Sequence, residues 1–134
     1  MNIQKFTQKS IEAVNDCEKL AYEYGNQEIE QEHLLVALLQ QPDGLILKLI
    51  EKMEIQKEHF LDNAVRHLKA RVKVSGGQVY IGKNLNQALI SAEDEARQMG
   101  DEYVSVEHLF LSLLKYPNRA MQEIFKEYGI TKER

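Results

Sequence analysis

Two Glu-His pairs, Glu32-His33 and Glu107-His108, are the residues of this chain most capable of chemistry. A histidine beside a carboxylate can hold a metal, move a proton or anchor a ligand. Metal-binding helices place ligands at i and i+3 or i+4, with further ligands nearby. Here each histidine stands alone in its segment, and its neighbouring glutamate projects about 100° away around a helix. His59 and His67 lie two turns apart with no ligand set around them, and nothing resembles His-Glu-x-x-His. Ser75-Gly76-Gly77 lacks the Lys-Ser/Thr ending of a phosphate-binding loop. Sequence order alone singles out no Ser/His/Asp set. The chain therefore reads as having no catalytic residue and no metal ligands. His33 and His108 read as first-turn residues that fix helix packing by hydrogen bonds. Glu32 and Glu107 read as favourable charge near helix N-termini, worth about 0.3–1 kcal/mol each. Because the two glutamates fall at equivalent edges, direct ligand contact by Glu32 and Glu107 is the second reading.

Those pairs are positioned by an internal repeat. Shifting the chain by 75 positions lays Glu32-His33-Leu34-Leu35-Val36-Ala37-Leu38-Leu39 on Glu107-His108-Leu109-Phe110-Leu111-Ser112-Leu113-Leu114. Ala13, Glu18, Ala21, Gly25, Pro42 and Ile55 fall on Ala88, Glu93, Ala96, Gly100, Pro117 and Ile130 without a gap. Where identity is lost the apolar character stays, as at Val14 and Leu89 or Ile29 and Val104.

One unit predicts four helices. Thr7 caps the first, in which Ile11, Val14, Cys17, Ala21 and Tyr24 form one stripe. Gly25 ends it in a left-handed cap. After a connector anchored by Ile29, helices are predicted over Gln31–Gln40, Leu45–Met53 and Gln56–Lys73, with Pro42-Asp43-Gly44 breaking the first two apart. The second unit predicts helices over Leu85–Met99, Val106–Lys115 (capped by Ser105) and Asn118–Tyr128. The expected architecture is all-α: two tandem pseudo-twofold-related four-helix repeats in one domain over 1–134. Repeat one spans 6–73, a linker 74–82, and an incomplete repeat two 83–134. The linker is either a mobile loop or a strand-like edge at Val79–Ile81. The counterpart of the fourth helix should begin at residue 131, so the chain is expected to be the front part of a longer polypeptide.

Composition narrows the class. A net charge of −4 argues against nucleic acid, which needs a basic surface. The single cysteine, Cys17, excludes an internal disulfide and suits a reducing compartment, where it reads as a small buried side chain. No segment has signal-peptide or membrane-spanning character, so the expected location is cytoplasmic, with no membrane partner. What remains is surface: a seam between two helical units, apolar with a polar rim, of the kind that binds peptides.

The motifs Phe6-Thr7-Gln8-Lys9, Ala21-x-x-x-Gly25-Asn26-Gln27-x-Ile29, Glu32-His33-Leu34-Leu35-x-Ala37-Leu38-Leu39 and Ala96-x-x-x-Gly100-Asp101-x-Tyr103-Val104-Ser105-x-Glu107-His108-Leu109 resemble the N-terminal domain of the Clp/Hsp100 unfoldases. Tyr24-Gly25-Asn26-Gln27-Glu28-Ile29 and the linker Val72-x-Val74-Ser75-Gly76-Gly77-Gln78-Val79-Tyr80 resemble the ClpB, or disaggregase, branch. The resemblance implies a stress-response chaperone that is a homohexamer, binds ATP and Mg through two modules beyond residue 134, carries a coiled coil and works with the Hsp70 system. It implies that this domain has no cofactor and no ATPase activity of its own. The domain would engage exposed hydrophobic segments of unfolded or aggregated proteins, with Thr7, Asp101 and Glu107 as its substrate-binding polar residues. The alternative is a ClpC-type platform for adaptors or phosphoarginine-tagged clients, using Glu32 and Glu107. That branch usually carries Gly-Thr before each Glu-His pair, where this chain has Glu30-Gln31 and Ser105-Val106.

Overall fold

The computed structural model describes residues 3–131. Thr7 has extended backbone and its hydroxyl accepts from the Ser10 amide at 3.2 Å, which starts helix α1 (Gln8–Glu23). Ser10, Ala13, Cys17, Leu20 and Ala21 form its buried face. The helix ends where Gly25 takes φ +71° and the Asn26 amide reaches the Ala21 carbonyl at 2.8 Å. That backbone is strained for any residue with a Cβ.

A two-residue strand β1 (Glu28–Ile29) leads to α2 (Gln31–Leu39), all nine residues of which are buried. A helix that is buried all round must be wrapped by others. It touches α1, α3 (Leu45–Lys52), α4 (Lys57–Lys69), α5 (Lys83–Gln98), α6 (Val106–Lys115) and α7 (Arg119–Tyr128). Phe60, Ala64 and Leu68 of α4 complete the first unit, and α4 meets α7 through the Phe60–Tyr128 ring pair, 4.9 Å between centroids.

The all-α architecture holds, with one addition. Strand β2 (Tyr80–Ile81) pairs in parallel with β1, Ile29 opposite Ile81, and Phe6 forms a parallel bridge with Val104. Adding 75 to Ile29 gives Val104, and adding 75 to Phe6 gives Ile81. Each unit therefore lends its leading residues to the loop of the other, the exchange that a twofold relation requires. The hydrogen bonds obey the same rule: the Thr7 amide donates to Val104 at 3.0 Å and the Gly82 amide to Ile29 at 2.8 Å. Of the two readings of the linker, its end forms the strand-like edge.

Two boundaries differ from expectation by more than one residue. Helix α4 stops at Lys69 rather than Lys73. Beyond it Asn26 Nδ2 donates to the Val72 carbonyl at 3.1 Å and the Val74 amide to Gly25 at 2.8 Å, so the chain leaves the helix to line the first glycine turn. Helix α5 begins two residues early, at Lys83, because a carboxylate from the other unit caps it.

That carboxylate is Glu30. Its Oε1 accepts from the Asn84 and Leu85 amides at 3.0 and 3.2 Å, and its Oε2 accepts from the Gln31 amide at 3.0 Å. One buried side chain thus meets the N-termini of two helices, where orphan amides and the helix dipole favour negative charge. The N-cap of α5, Gly82, has no side chain to do this itself, and a Cβ there would lie 2.2 Å from Glu30 Oε1. At the equivalent positions of the other unit stand Thr7, which caps its own helix, and Ser105. Burial raises the Glu30 carboxyl above its ordinary range, against the downward pull of the Gln31, Leu85 and Asn84 amides.

Candidate functional site

The two histidines occupy equivalent clamps. His33 Nδ1 accepts from the Glu30 amide at 2.9 Å and its Nε2 donates to Asn26 Oδ1 at 2.9 Å. His108 Nδ1 accepts from the Ser105 amide at 2.9 Å and its Nε2 donates to Asp101 Oδ2 at 2.8 Å. Each ring closes a capping box in which histidine stands where Glu or Gln is usual, and ties it to the residue after the glycine turn. The partners fix the tautomer: Asn26 Nδ2 is spent on Val72, so Oδ1 is the acceptor. Desolvation, then the nearby Arg71 charge, lowers the His33 pKa from 6.5 to about 4. His59 and His67 are used in packing against α7, His59 with the Tyr128 hydroxyl and His67 3.9 Å from Glu123.

Glu32 and Glu107 are equivalent in register and unlike in surroundings. Glu32 is buried; its Oε2 accepts from Arg71 Nη1 at 2.7 Å and its Oε1 from Asn118 Nδ2 at 2.8 Å. Arg71 also reaches Glu28 at 2.6 Å. Glu107 is exposed. A ligand would have to break the Arg71 pair to reach Glu32, so the two carboxylates do not present one repeated contact.

Gln31 is a residue that sequence reasoning missed. It is fully buried, donates to the Asn84 and Tyr116 carbonyls at 3.0 Å each, and accepts from the Asn118 amide at 2.8 Å. It ties α2 to the start of α5, the end of α6 and the start of α7. The available signal was a glutamine in the first turn of a helix whose later turns are wholly apolar.

Thr7 and Asp101 meet the same loop from two sides: Thr7 bonds Val104, and Asp101 is held by His108. No hydrogen bond joins Thr7, Asp101 or Glu107 to one another among the described residues. Asp101 borders a cleft of about 250 Å³ with Lys5, Arg97 and Glu102. Its counterpart at the first glycine turn, about 390 Å³, is lined by Asn26, Arg71, Val72 and Tyr80.

Two grooves are apolar. One, about 100 Å³, lies between α1 and α5 and is lined by Val14, Cys17, Glu18, Ile29, Ile81, Leu85 and Leu89. Val14 and Leu89 are counterparts at the 75-residue offset, so the groove straddles the exchange axis. Burial raises the Cys17 thiol pKa, which keeps that side chain an uncharged part of the wall. The other, about 150 Å³, is lined by Leu49, Met53, Glu107, Phe110, Leu111, Leu114 and Thr131. Subtracting 75 from its α6 residues gives Glu32, Leu35, Val36 and Leu39, on the helix that α4 packs against in the first unit.

No helix among the described residues is long and apolar enough to cross a membrane. The Clp repeat (R) N-terminal domain family matches residues 5–128. Chaperone protein ClpB of Nitratidesulfovibrio vulgaris is 41% identical over 140 residues, covering 100% of this chain and 16% of that protein. ClpB of Clostridium tetani is 34% identical over 139 residues, with the same coverage of 100% and 16%. The chain thus spans about one sixth of the length of these relatives. Among solved structures, the Hsp104 N-terminal domain of Candida albicans superposes with TM-score 0.84 at 25% identity, over 96% of this chain and 85% of that one. A ClpV N-domain in complex with a VipB peptide superposes with TM-score 0.80 at 20% identity, over 98% and 82%, a likeness of fold.

Proposed function

The chain belongs to the Clp repeat N-terminal domain family, and from that premise we propose that it captures exposed apolar segments of unfolded or aggregated proteins for a ClpB-type disaggregase. The ATP- and Mg-dependent rings, their hexameric assembly, the cytoplasmic setting and the Hsp70 system belong to the rest of that protein, to which this domain hands its clients.

The observation that carries the reading is the open apolar groove between α1 and α5. Its floor is made of buried leucine and isoleucine, and its rim carries half-buried Val14 and exposed Ile81. At about 100 Å³ it admits about one aliphatic side chain at a time. Burying one such side chain contributes about 1.5–3 kcal/mol before the cost of ordering the client. Capture is therefore weak and indifferent to sequence, as suits a domain that must release its client. Peptide binding by a ClpV N-domain of the same fold lends support. Thr7 stands at the head of the α1 wall, whereas Asp101 borders the second glycine-turn cleft and Glu107 lines the α6 groove, so the polar contacts of these two to a client lie outside the α1/α5 groove.

The α6 groove is assigned differently. It is the counterpart of a face that α4 covers, so it is read as a seat for a helix of the same polypeptide. Binding of a fluorescein-labelled, reduced and carboxymethylated α-lactalbumin separates the two grooves. Val14→Asp is expected to weaken binding about tenfold, while Leu111→Asp changes it less than about twofold. Equal losses from both variants, or a loss only from Leu111→Asp, sink the assignment.

A further inference from the structure

The client groove ends on an open strand edge. The Tyr80 and Gly82 amides both point to β1, donating to Gln27 and Ile29 at 2.9 and 2.8 Å. Along a strand the peptide groups alternate in direction, so the N–H and C=O of Ile81 point away from β1, to the outer edge. Neither has a hydrogen-bond partner among the described residues. The equivalent position in the first unit is Phe6, and there the outward amide is closed: it donates to the Ile3 carbonyl at 3.0 Å, within a 3-10 turn. The segment before Ile81 forms no such turn. Ile81 is 43% exposed, so its edge is reachable, and its side chain lines the α1/α5 groove.

We infer that an extended client segment adds as a third strand to the outer edge of β2, pairing with the Ile81 peptide groups while one of the side chains on its inner face enters the α1/α5 groove. This rests on the client-capture reading and specifies its mode. A helical ligand has its own backbone groups already paired and could not satisfy Ile81. An extended one can, and side chains at i and i+2 of the added strand fall on the face that Ile81 presents. Affinity then comes mainly from main-chain bonds, which explains how a groove with room for one side chain can hold clients of many sequences. The preferred segment has apolar residues at alternate positions and no proline.

Two synthetic peptides test this, one alternating Val or Ile with Thr and one of the same sequence N-methylated at every second residue. The first is expected to shift groove resonances and to slow hydrogen exchange at the Ile81 amide about tenfold. N-methylation is expected to weaken binding about tenfold or more. Ile81→Pro, which removes the outward amide and replaces the groove-lining side chain, should lose at least as much, while Ile81→Val, which keeps the amide, should bind within about twofold of the parent. If the N-methylated peptide binds the groove equally well, strand addition is wrong and client capture stands. If neither peptide moves the groove resonances, both are wrong. The peptide pair decides even where the Ile81→Pro protein does not fold.

Discussion

Gly82→Ala is expected to destabilise the fold by about 3 kcal/mol, although its backbone, φ −72° and ψ 164°, is open to any residue. The cost is at Glu30. A Cβ at position 82 would sit 2.2 Å from Glu30 Oε1 and 2.9 Å from Glu28 Cγ, so the carboxylate must withdraw. The Asn84 and Leu85 amides then lose a charged acceptor in a buried place, and each such bond is worth about 1.5–3 kcal/mol. Glu30→Ser alone should cost about as much, for the same reason. The double variant Gly82→Thr with Glu30→Ser copies the arrangement of Thr7 and Ser105, where the helix is capped by its own hydroxyl. It should recover most of what either single change loses. Urea midpoints at neutral pH for Gly82→Thr, Glu30→Ser and the double variant give the cycle; additive losses in the double variant would show that the two positions are not coupled through α5.

The second large effect is an acid-side loss of stability at His33. In the fold its pKa is lowered to about 4 against 6.5 in the unfolded chain, chiefly by burial. The unfolded chain therefore takes up the proton first. The contribution of neutral His33 is complete above about pH 6.5 and falls away as pH drops towards 4, by about 3 kcal/mol in all. Structurally, protonation puts a hydrogen on Nδ1, where the Glu30 amide must donate. Glutamine can serve at this position of a capping box without titrating. Stability measured at steps between pH 7 and 4 should fall more steeply for the parent than for His33→Gln. Parallel profiles would mean that His33 is not the buried neutral acceptor described above.

Much of the fold was legible because its signals are local. Thr7, Gly25 and the apolar stripe between them specify α1 from local signals alone, and the 75-residue register carried that reading to the second unit. What was not legible depends on pairs distant in sequence. Glu30 and Gly82 make sense only together, one supplying the charge that the other makes room for. The end of α4 depends on Asn26 and Gly25, which draw residues 72–74 out of the helix. Strands of two residues are too short for alternation to reveal. The equivalence of Glu32 and Glu107 fails for a similar reason. Arg71 and Asn118 engage Glu32, and the residue aligned with Asn118 is Asp43, which cannot donate to Glu107. His33 and His108 show the opposite case: their type suggested chemistry, and both ring nitrogens of each are spent on hydrogen bonds within the fold, as structural clamps.

Client capture at the α1/α5 groove is tested most directly by mapping amide and methyl shifts while the reduced, carboxymethylated α-lactalbumin is titrated into labelled protein. The expected result is a single cluster of shifts at Val14, Cys17, Ile29, Ile81, Leu85 and Leu89, saturating together. Shifts centred instead on Leu49, Phe110 and Leu114, or scattered with no common saturation, would contradict it.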